Sequence, residues 1–115
     1  MSVVIYHNPR CSKSRQTLAL LQGRGIEPEV VEYLKRPPSV AELENILTLL
    51  AMSPRQLMRR KEALYKELNL ADESLSEAEL VAAMVAHPRL IERPIVLANG
   101  RAALGRPPES VLAII

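Results

Sequence analysis

The amino-acid sequence predicts an α/β fold built on one four-stranded mixed β-sheet. Three observations support this prediction. A strand, a helix and a second strand follow one another near the start; serine-capped helices fill the middle; and two apolar runs joined by Asn-Gly come near the end. A chain of 115 residues is typical of a single domain, so we expect one domain over 1–115, with a helical insertion over about 39–87.

The first third of the chain predicts a βαβ unit. Val3 to Tyr6 are β-branched or aromatic and stop at His-Asn-Pro, which is typical of a buried strand followed by a turn. A helix is expected from Ser12 to about Arg24, and Glu29 to Tyr33 predicts the second strand. The apolar face of that helix is expected to consist of Leu18, Ala19, Leu20 and Leu21. Because the three elements are so close in sequence, the two strands should be parallel, with a right-handed crossover.

The middle of the chain is predicted to be helical because it holds three capping boxes. In a capping box, a serine hydroxyl accepts from the N–H three residues on, and a Glu or Gln there bonds back to the serine N–H. The three pairs are Ser39 with Glu42, Ser53 with Gln56, and Ser76 with Glu79. Apolar side chains recur at helical spacing behind the first and third boxes: Val40, Leu43, Ile46, Leu47, Leu50, and Leu80, Val81, Met84, Val85.

The end of the chain predicts a hairpin and a short terminal helix. Residues 94–98 and 101–105 flank Asn99-Gly100, which is the strongest two-residue turn signal. Pro107-Pro108-Glu109 then opens a helix that ends at Ile114-Ile115. A parallel βαβ half joined to an antiparallel ββα half is the thioredoxin-like architecture, here with a helical insertion.

The composition excludes several classes of function. With 48% hydrophobic and 24% charged residues, the chain does not resemble disordered proteins. A net charge of +2, with no Phe or Trp to stack on bases, argues against a nucleic-acid partner. The longest uncharged run, Asn45 to Pro54, is half the roughly 20 apolar residues of a membrane span. The first residues also lack the positive region of a signal peptide, so we expect a cytoplasmic protein without a membrane partner.

Cys11 is the only cysteine, and it marks the candidate site. It comes directly between the first strand and the first helix, so its sulfur should face the free N–H groups of the helix, which stabilise a thiolate. The helix dipole contributes about 0.3 to 1 kcal/mol, which leaves most of the thiol protonated at neutral pH. Further charge or hydrogen bonding is therefore needed. The local candidates are His7, Ser12, Ser14 and Arg15.

Spacing around Cys11 excludes two other cysteine chemistries. A phosphatase loop needs an arginine six residues after the cysteine, where this chain has Thr17. A dithiol oxidoreductase needs a second cysteine three residues on, where this chain has Ser14. A single thiol cannot form a disulfide within the chain, so any redox cycle must use a thiol of another molecule.

Several motifs together resemble the glutaredoxin-coupled arsenate reductases. The segment His7-Asn8-Pro9-Arg10-Cys11-Ser12-Lys13-Ser14-Arg15 is similar to that family's active-site loop, His-Asn-Pro-x-Cys-x-x-Ser-Arg. The similarity continues through residues 27–34, the Leu-Met-Arg-Arg segment 57–60, residues 65–70, the segment 87–96 and Gly105-Arg106-Pro107. It covers essentially the whole chain.

The resemblance implies reduction of arsenate, with no bound cofactor or metal, glutathione as co-substrate and glutaredoxin as protein partner. It implies a catalytic group made of Cys11, His7 and Ser14. It further implies oxyanion or substrate ligands at Arg59, Arg93, Arg106, Asn8 and Arg15, with Arg60 able to replace Arg59, and a cis proline at Pro94. Guanidinium groups suit this task because their paired donors match a tetrahedral oxyanion.

Two alternatives stay open. Spx-type regulators have the same fold and bind RNA polymerase without catalysis, and a reductase of another substrate would use the same thiol. Spx-type proteins usually carry a Cys-x-x-Cys pair or lack the His-Asn-Pro loop, so the loop in this chain favours the enzyme.

Overall fold

The computed structural model describes residues 2–115 and divides the chain into two compact units. The first unit comprises Met1–Arg36 and Arg93–Ile115, and the second comprises Pro37–Glu92. The expectation that 1–115 forms a single domain stays a prediction.

The first unit is built on the predicted four-stranded mixed sheet. Its strands are β1 (Val3–His7), β2 (Glu29–Glu32), β3 (Ile95–Ala98) and β4 (Arg101–Leu104), in the order β2-β1-β3-β4. Strand β1 pairs with β2 in parallel and with β3 antiparallel, and β3 pairs antiparallel with β4. The βαβ unit and the hairpin are both confirmed, each with strand ends within a residue or so of the prediction.

Helix α1 (Ser12–Gly23) covers this sheet with a face that differs from the predicted one. Its fully covered residues are Ser14, Thr17 and Leu21, whereas Ala19 is exposed. Leu18 and Leu20 are partly buried against an aliphatic core that includes Ile5, Leu21, Val96 and Val111. Periodicity identified the apolar half of the helix but missed the polar half, because buried hydroxyls carry no hydrophobic signal. The two buried hydroxyls lie in the part of α1 that follows Cys11.

The chain ends in a 3-10 helix over Pro108–Ile114 rather than an α-helix. Two polar side chains at the β3–β4 turn hold its last carbonyls. Asn99 Nδ2 donates to the Ile114 carbonyl at 2.8 Å, and Arg101 Nη1 donates to the Ala113 carbonyl at 3.0 Å. The turn thereby fixes the terminal segment against the sheet.

The second unit contains four short helices and a 3-10 turn. The helices are α2 (Val40–Leu50), α3 (Pro54–Leu57), α4 (Ala63–Glu67) and α5 (Glu77–Ala86), followed by the 3-10 turn Pro88–Leu90. All three predicted capping boxes are present, each with both of its hydrogen bonds. Helix α4 was not predicted, because Glu62 at its N-cap is outside the residue types that mark a helix start.

The two longer helices of this unit bury most of their predicted stripes. The buried residues are Leu43, Ile46 and Leu47 on α2, and Leu80, Val81 and Met84 on α5. Val40 departs from the prediction, since it is 45% exposed in the first turn of α2. None of the helices within residues 2–115 is long and apolar enough to cross a membrane.

Candidate active site

The loop between β1 and α1 is held in place by Asn8. Its carbonyl accepts from the Cys11 N–H at 3.0 Å, and its Oδ1 accepts from the Arg10 N–H at 3.0 Å. Its own N–H donates to Ser14 Oγ at 3.0 Å. A further brace comes from Arg15, whose Nη1 donates to the Pro9 carbonyl at 3.0 Å. These bonds make Asn8 and Arg15 supports of the loop that carries Cys11. That they also bind substrate stays a prediction.

Cys11 is the N-cap residue of α1 and is 8% exposed. Within the described residues 2–115, the Cys11 side chain makes no hydrogen bond that caps the helix. The thiolate form is nevertheless favoured. Burial raises the pKa of the Cys11 thiol, but the Ser14 N–H, the Arg93 side chain and the Lys13 N–H together outweigh burial. The pKa therefore lies below its ordinary value, which is the direction expected from the sequence.

Of the local candidates, Ser14 acts on the thiol through its backbone N–H, but the positive charge beside Cys11 belongs to Arg93, which is distant in the sequence. Arg93 stabilises the thiolate both as a hydrogen-bond donor and through its charge. Ser12 is exposed, and Arg15 acts on His7 rather than on the sulfur. Strand pairing brings Arg93 here: Tyr6 pairs with Ile95 in the antiparallel β1–β3 register, so the residues before Ile95 lie opposite those after Tyr6.

His7 is buried and directly bonded to Ser14. Its Nδ1 lies 2.6 Å from Ser14 Oγ, and Ser14 itself is completely buried. Burial lowers the pKa of the His7 imidazole, Glu32 opposes this shift, and Arg15 adds to it. The neutral imidazole is therefore the favoured form at neutral pH. That His7 belongs to the catalytic group stays a prediction. Its observed contact is with the Ser14 side chain, while the Ser14 backbone N–H serves Cys11.

A second arginine, Arg106, lies beside Arg93. Its Nη1 donates to the Arg93 carbonyl at 3.3 Å, and the preceding Gly105 N–H donates to the Pro94 carbonyl at 2.9 Å. The Arg93–Pro94 peptide bond is cis, the isomer that the resemblance implied, and the Arg106–Pro107 bond is cis as well. Arg93 and Arg106 thus lie at one edge of the first unit, which is also the edge that carries Cys11.

Gly105 allows a close approach between this edge and helix α1. A Cβ at position 105 would overlap Thr17 Oγ1 and would lie 2.7 Å from Pro94 Cγ. Only a residue without a side chain fits there, so Gly105 lets the backbone lie close to both Thr17 and Pro94. Sequence reasoning named Gly105 only as part of the Gly-Arg-Pro motif and did not predict its close approach to Thr17.

Arg59 belongs to the second unit, where its guanidinium lies between two carboxylates. It forms a short ion pair with Glu62, and its Nε lies 3.7 Å from Glu92 Oε1. Glu62 also lies 3.6 Å from Arg89. The Arg59 N–H donates to the Leu90 carbonyl at 2.7 Å, which fixes the backbone too. The neighbouring Arg60 is exposed. That Arg59 binds substrate, or that Arg60 replaces it, stays a prediction.

The fold and the site together define a thioredoxin-like protein with a cysteine at the N-cap of its first helix and a cis proline before its third strand. The sequence profile of the ArsC family matches residues 6–114, and the chain belongs to this family.

Known proteins of similar sequence and structure carry the arsenate reductase name. The chain is 54% identical to "Arsenate reductase" of Haemophilus influenzae over 116 residues, covering 100% of both chains. It is 64% identical to "Uncharacterized protein YfgD" of Escherichia coli K12, covering 98% of this chain and 96% of that one. A solved structure described as arsenate reductase from Vibrio cholerae superposes with a TM-score of 0.98 at 60% identity, covering 100% of this chain and 98% of that one.

Proposed function

We propose that this protein is an enzyme that reduces arsenate to arsenite, with the Cys11 thiolate as nucleophile. The observation that carries the proposal is the thiol at the N-terminus of α1, with its pKa lowered by helix N–H groups and by Arg93. A guanidinium that stabilises a thiolate is also a ligand for the oxyanion which that thiolate attacks. The arsenate reductase names of relatives near 54% identity support the same substrate.

In the first step, the Cys11 thiolate attacks arsenic and forms an S–As bond. One arsenate oxygen leaves as water after taking up protons, and Arg93 and Arg106 offset the negative charge of the bound oxyanion. Arg59 stays in the proposal as a third ligand on the strength of the resemblance alone. No electrons have yet been transferred to products, because arsenic and sulfur still share the bonding pair.

In the second step, the thiolate of glutathione attacks the Cys11 sulfur. An S–S bond forms, the S–As bond breaks, and the bonding pair stays on arsenic, which leaves as arsenite. The two electrons come from the two thiols, Cys11 and glutathione. Cys11 is the only thiol of the chain, so the glutathione mixed disulfide must be resolved from outside.

Glutaredoxin is the proposed partner for this last step. Its thiolate attacks the glutathione sulfur and frees Cys11 for another turnover. This chemistry needs a reducing compartment, so we propose a cytoplasmic location, with no nucleic-acid or membrane partner.

A coupled assay tests the proposal. Arsenate should drive NADPH oxidation in a mixture of this protein, glutathione, glutaredoxin and glutathione reductase, and Cys11→Ser should abolish it. Arsenate and glutathione without glutaredoxin should leave a one-to-one glutathione adduct on Cys11, seen as a mass increase that dithiothreitol reverses. Full activity of Cys11→Ser would overturn the assignment of Cys11 as the nucleophile. Turnover with thioredoxin in place of glutathione would overturn the proposed electron path.

A further inference from the structure

Helix α1 contains a buried hydroxyl that its hydrophobic packing does not require. Thr17 is completely buried, and its Oγ1 donates to the Lys13 carbonyl at 2.8 Å. The Gly105 backbone lies close to the Thr17 side chain, with no room for a Cβ between them. Water therefore cannot replace the hydroxyl if it is removed.

The Lys13 carbonyl belongs to the same peptide group as the Ser14 N–H. With Cys11 as N-cap, Lys13 and Ser14 occupy the second and third helical positions, whose N–H groups face the side chain of the N-cap residue. A hydrogen bond accepted by a peptide carbonyl polarises the group and strengthens its N–H as a donor. The Thr17 hydroxyl therefore bonds to the peptide group whose N–H faces the Cys11 side chain.

We propose that Thr17 is a positioning residue for Cys11: its hydroxyl polarises the Lys13–Ser14 peptide group and directs the Ser14 N–H to the sulfur. The inference rests on Cys11 being the nucleophile of the proposed function. Thr17 itself does not touch the sulfur or the substrate, so it acts through the backbone of α1. Its hydroxyl bonds to the Lys13 carbonyl in addition to the ordinary helical bond from its own N–H.

The charged groups around the site act separately from Thr17. Arg93, from the segment before β3, brings its charge to Cys11. Arg15 on α1 and Glu32 on β2 act on His7 of β1, in opposite directions. None of these groups is altered by a change at position 17, so a change in thiolate stability there reports on the peptide group. The Ser14 N–H is the largest of the contributions that lower the pKa of the thiol.

The test compares Thr17→Val with Thr17→Ser. Valine keeps the shape of threonine and removes the hydroxyl, whereas serine keeps the hydroxyl and removes the methyl group. The rate of Cys11 alkylation by iodoacetamide is measured from pH 5 to 10, with no arsenate present. Thr17→Val should alkylate about two- to fivefold more slowly than wild type on the acidic limb and equally fast on the alkaline plateau. Thr17→Ser should follow the wild-type profile.

Two results would overturn the inference. The Thr17→Val profile could superimpose on that of wild type, or Thr17→Ser could shift as far as Thr17→Val, which would mean that packing alone is responsible. If Thr17→Val does not fold, Thr17→Ala takes its place and should shift in the same direction. Because alkylation needs no arsenate, failure of the proposed function appears separately, as a coupled assay in which arsenate drives no NADPH oxidation.

Discussion

Helix α1 and the helices α2 and α5 begin in opposite ways. Helices α2 and α5 each have a serine cap, a Glu that bonds back, and at least one acidic residue in the first turn. Helix α1 begins at Cys11, and its first turn carries Lys13 and Arg15 but no acidic residue. Acidic residues stabilise a helix N-terminus, and basic residues there destabilise it.

The two kinds of helix start use their first N–H groups for different purposes: α2 and α5 use them for stability, and α1 leaves them free for the site. The capped helices use their first N–H groups on their own side chains, so these groups stabilise the fold and serve nothing else. In α1 the corresponding N–H groups stay available to the sulfur of Cys11. Helix α1 lacks the contribution of a side-chain cap, about 0.5 to 2 kcal/mol, and in the proposed function its free N–H groups serve the thiolate and the oxyanion.

The largest effect is expected when Cys11 is replaced by serine, which makes the start of α1 resemble that of α2. Arsenate reduction should fall at least a thousandfold, because the nucleophile is lost. The free energy of unfolding should stay level or rise by up to about 1 kcal/mol, because serine is a better N-cap than cysteine. Urea unfolding measures the change in stability, and the coupled assay measures the loss of arsenate reduction. A marked loss of stability would contradict the view that Cys11 serves chemistry at the expense of capping.

The next effect separates the two arginines of the first unit. Arg93→Ala should lower kcat/KM for arsenate about 10- to 150-fold and also slow Cys11 alkylation at neutral pH. Arg106→Ala should lower kcat/KM by a similar factor and leave alkylation unchanged, because Arg106 bonds to the Arg93 backbone instead of the sulfur. Arg93→Lys should recover only part of the activity, since lysine keeps the charge and loses the paired donors. Equal alkylation profiles in wild type and Arg93→Ala would show that Arg93 does not stabilise the Cys11 thiolate.

A smaller effect should come from breaking a capping box. Ser39→Ala removes the acceptor for the Glu42 N–H, which lies 3.1 Å from Ser39 Oγ. The free energy of unfolding should fall by about 1 kcal/mol, while kcat/KM and the alkylation profile stay as in wild type. The matched control is Ser74→Ala, whose hydroxyl bonds to Asp72 in a turn and caps no helix. If Ser39→Ala changed the alkylation profile, the separation of stability from chemistry would be wrong.

The parts of the molecule that the sequence predicts are those that depend on short-range patterns. The βαβ unit, the Asn99-Gly100 hairpin and the capping boxes each follow from residues a few positions apart. Cys11 is recognisable as a reactive thiol for the same reason, because its strand-to-helix position is a local feature. Helix α4 was missed because it lacks such a local signal at Glu62.

The arginine beside Cys11 could not be found in this way, although Ser14 could. Arg93 reaches the thiol through the pairing of β1 with β3, and nothing near Cys11 in the sequence indicates that register. His7, Ser12 and Arg15 were favoured as sources of charge or hydrogen bonds because they are close in sequence, yet His7 favours its neutral form. The three loop contacts of Asn8 were not predicted either, because they depend on the folded conformation of the loop.

The smallest expected effect is a dependence of stability on pH that reports on His7. Its pKa is lowered in the folded state, chiefly by burial, so between the folded value and the ordinary value near 6.5 the unfolded chain binds a proton that the folded chain does not. The stability due to the neutral imidazole is complete above about pH 6.5 and is lost as the pH falls through the folded pKa. Urea unfolding from pH 7.5 to 5 should therefore give a steeper loss of stability in wild type than in His7→Gln.

The pKa of Cys11 is also lowered in the folded state, so its contribution to stability has the same sign at higher pH. Stability should increase as the pH rises towards the ordinary thiol value near 8.5. Cys11→Ser should lack that increase and keep the loss below pH 6.5, so the two variants separate the two groups. Parallel curves for wild type and His7→Gln would mean that the buried His7–Ser14 contact does not depend on the neutral imidazole.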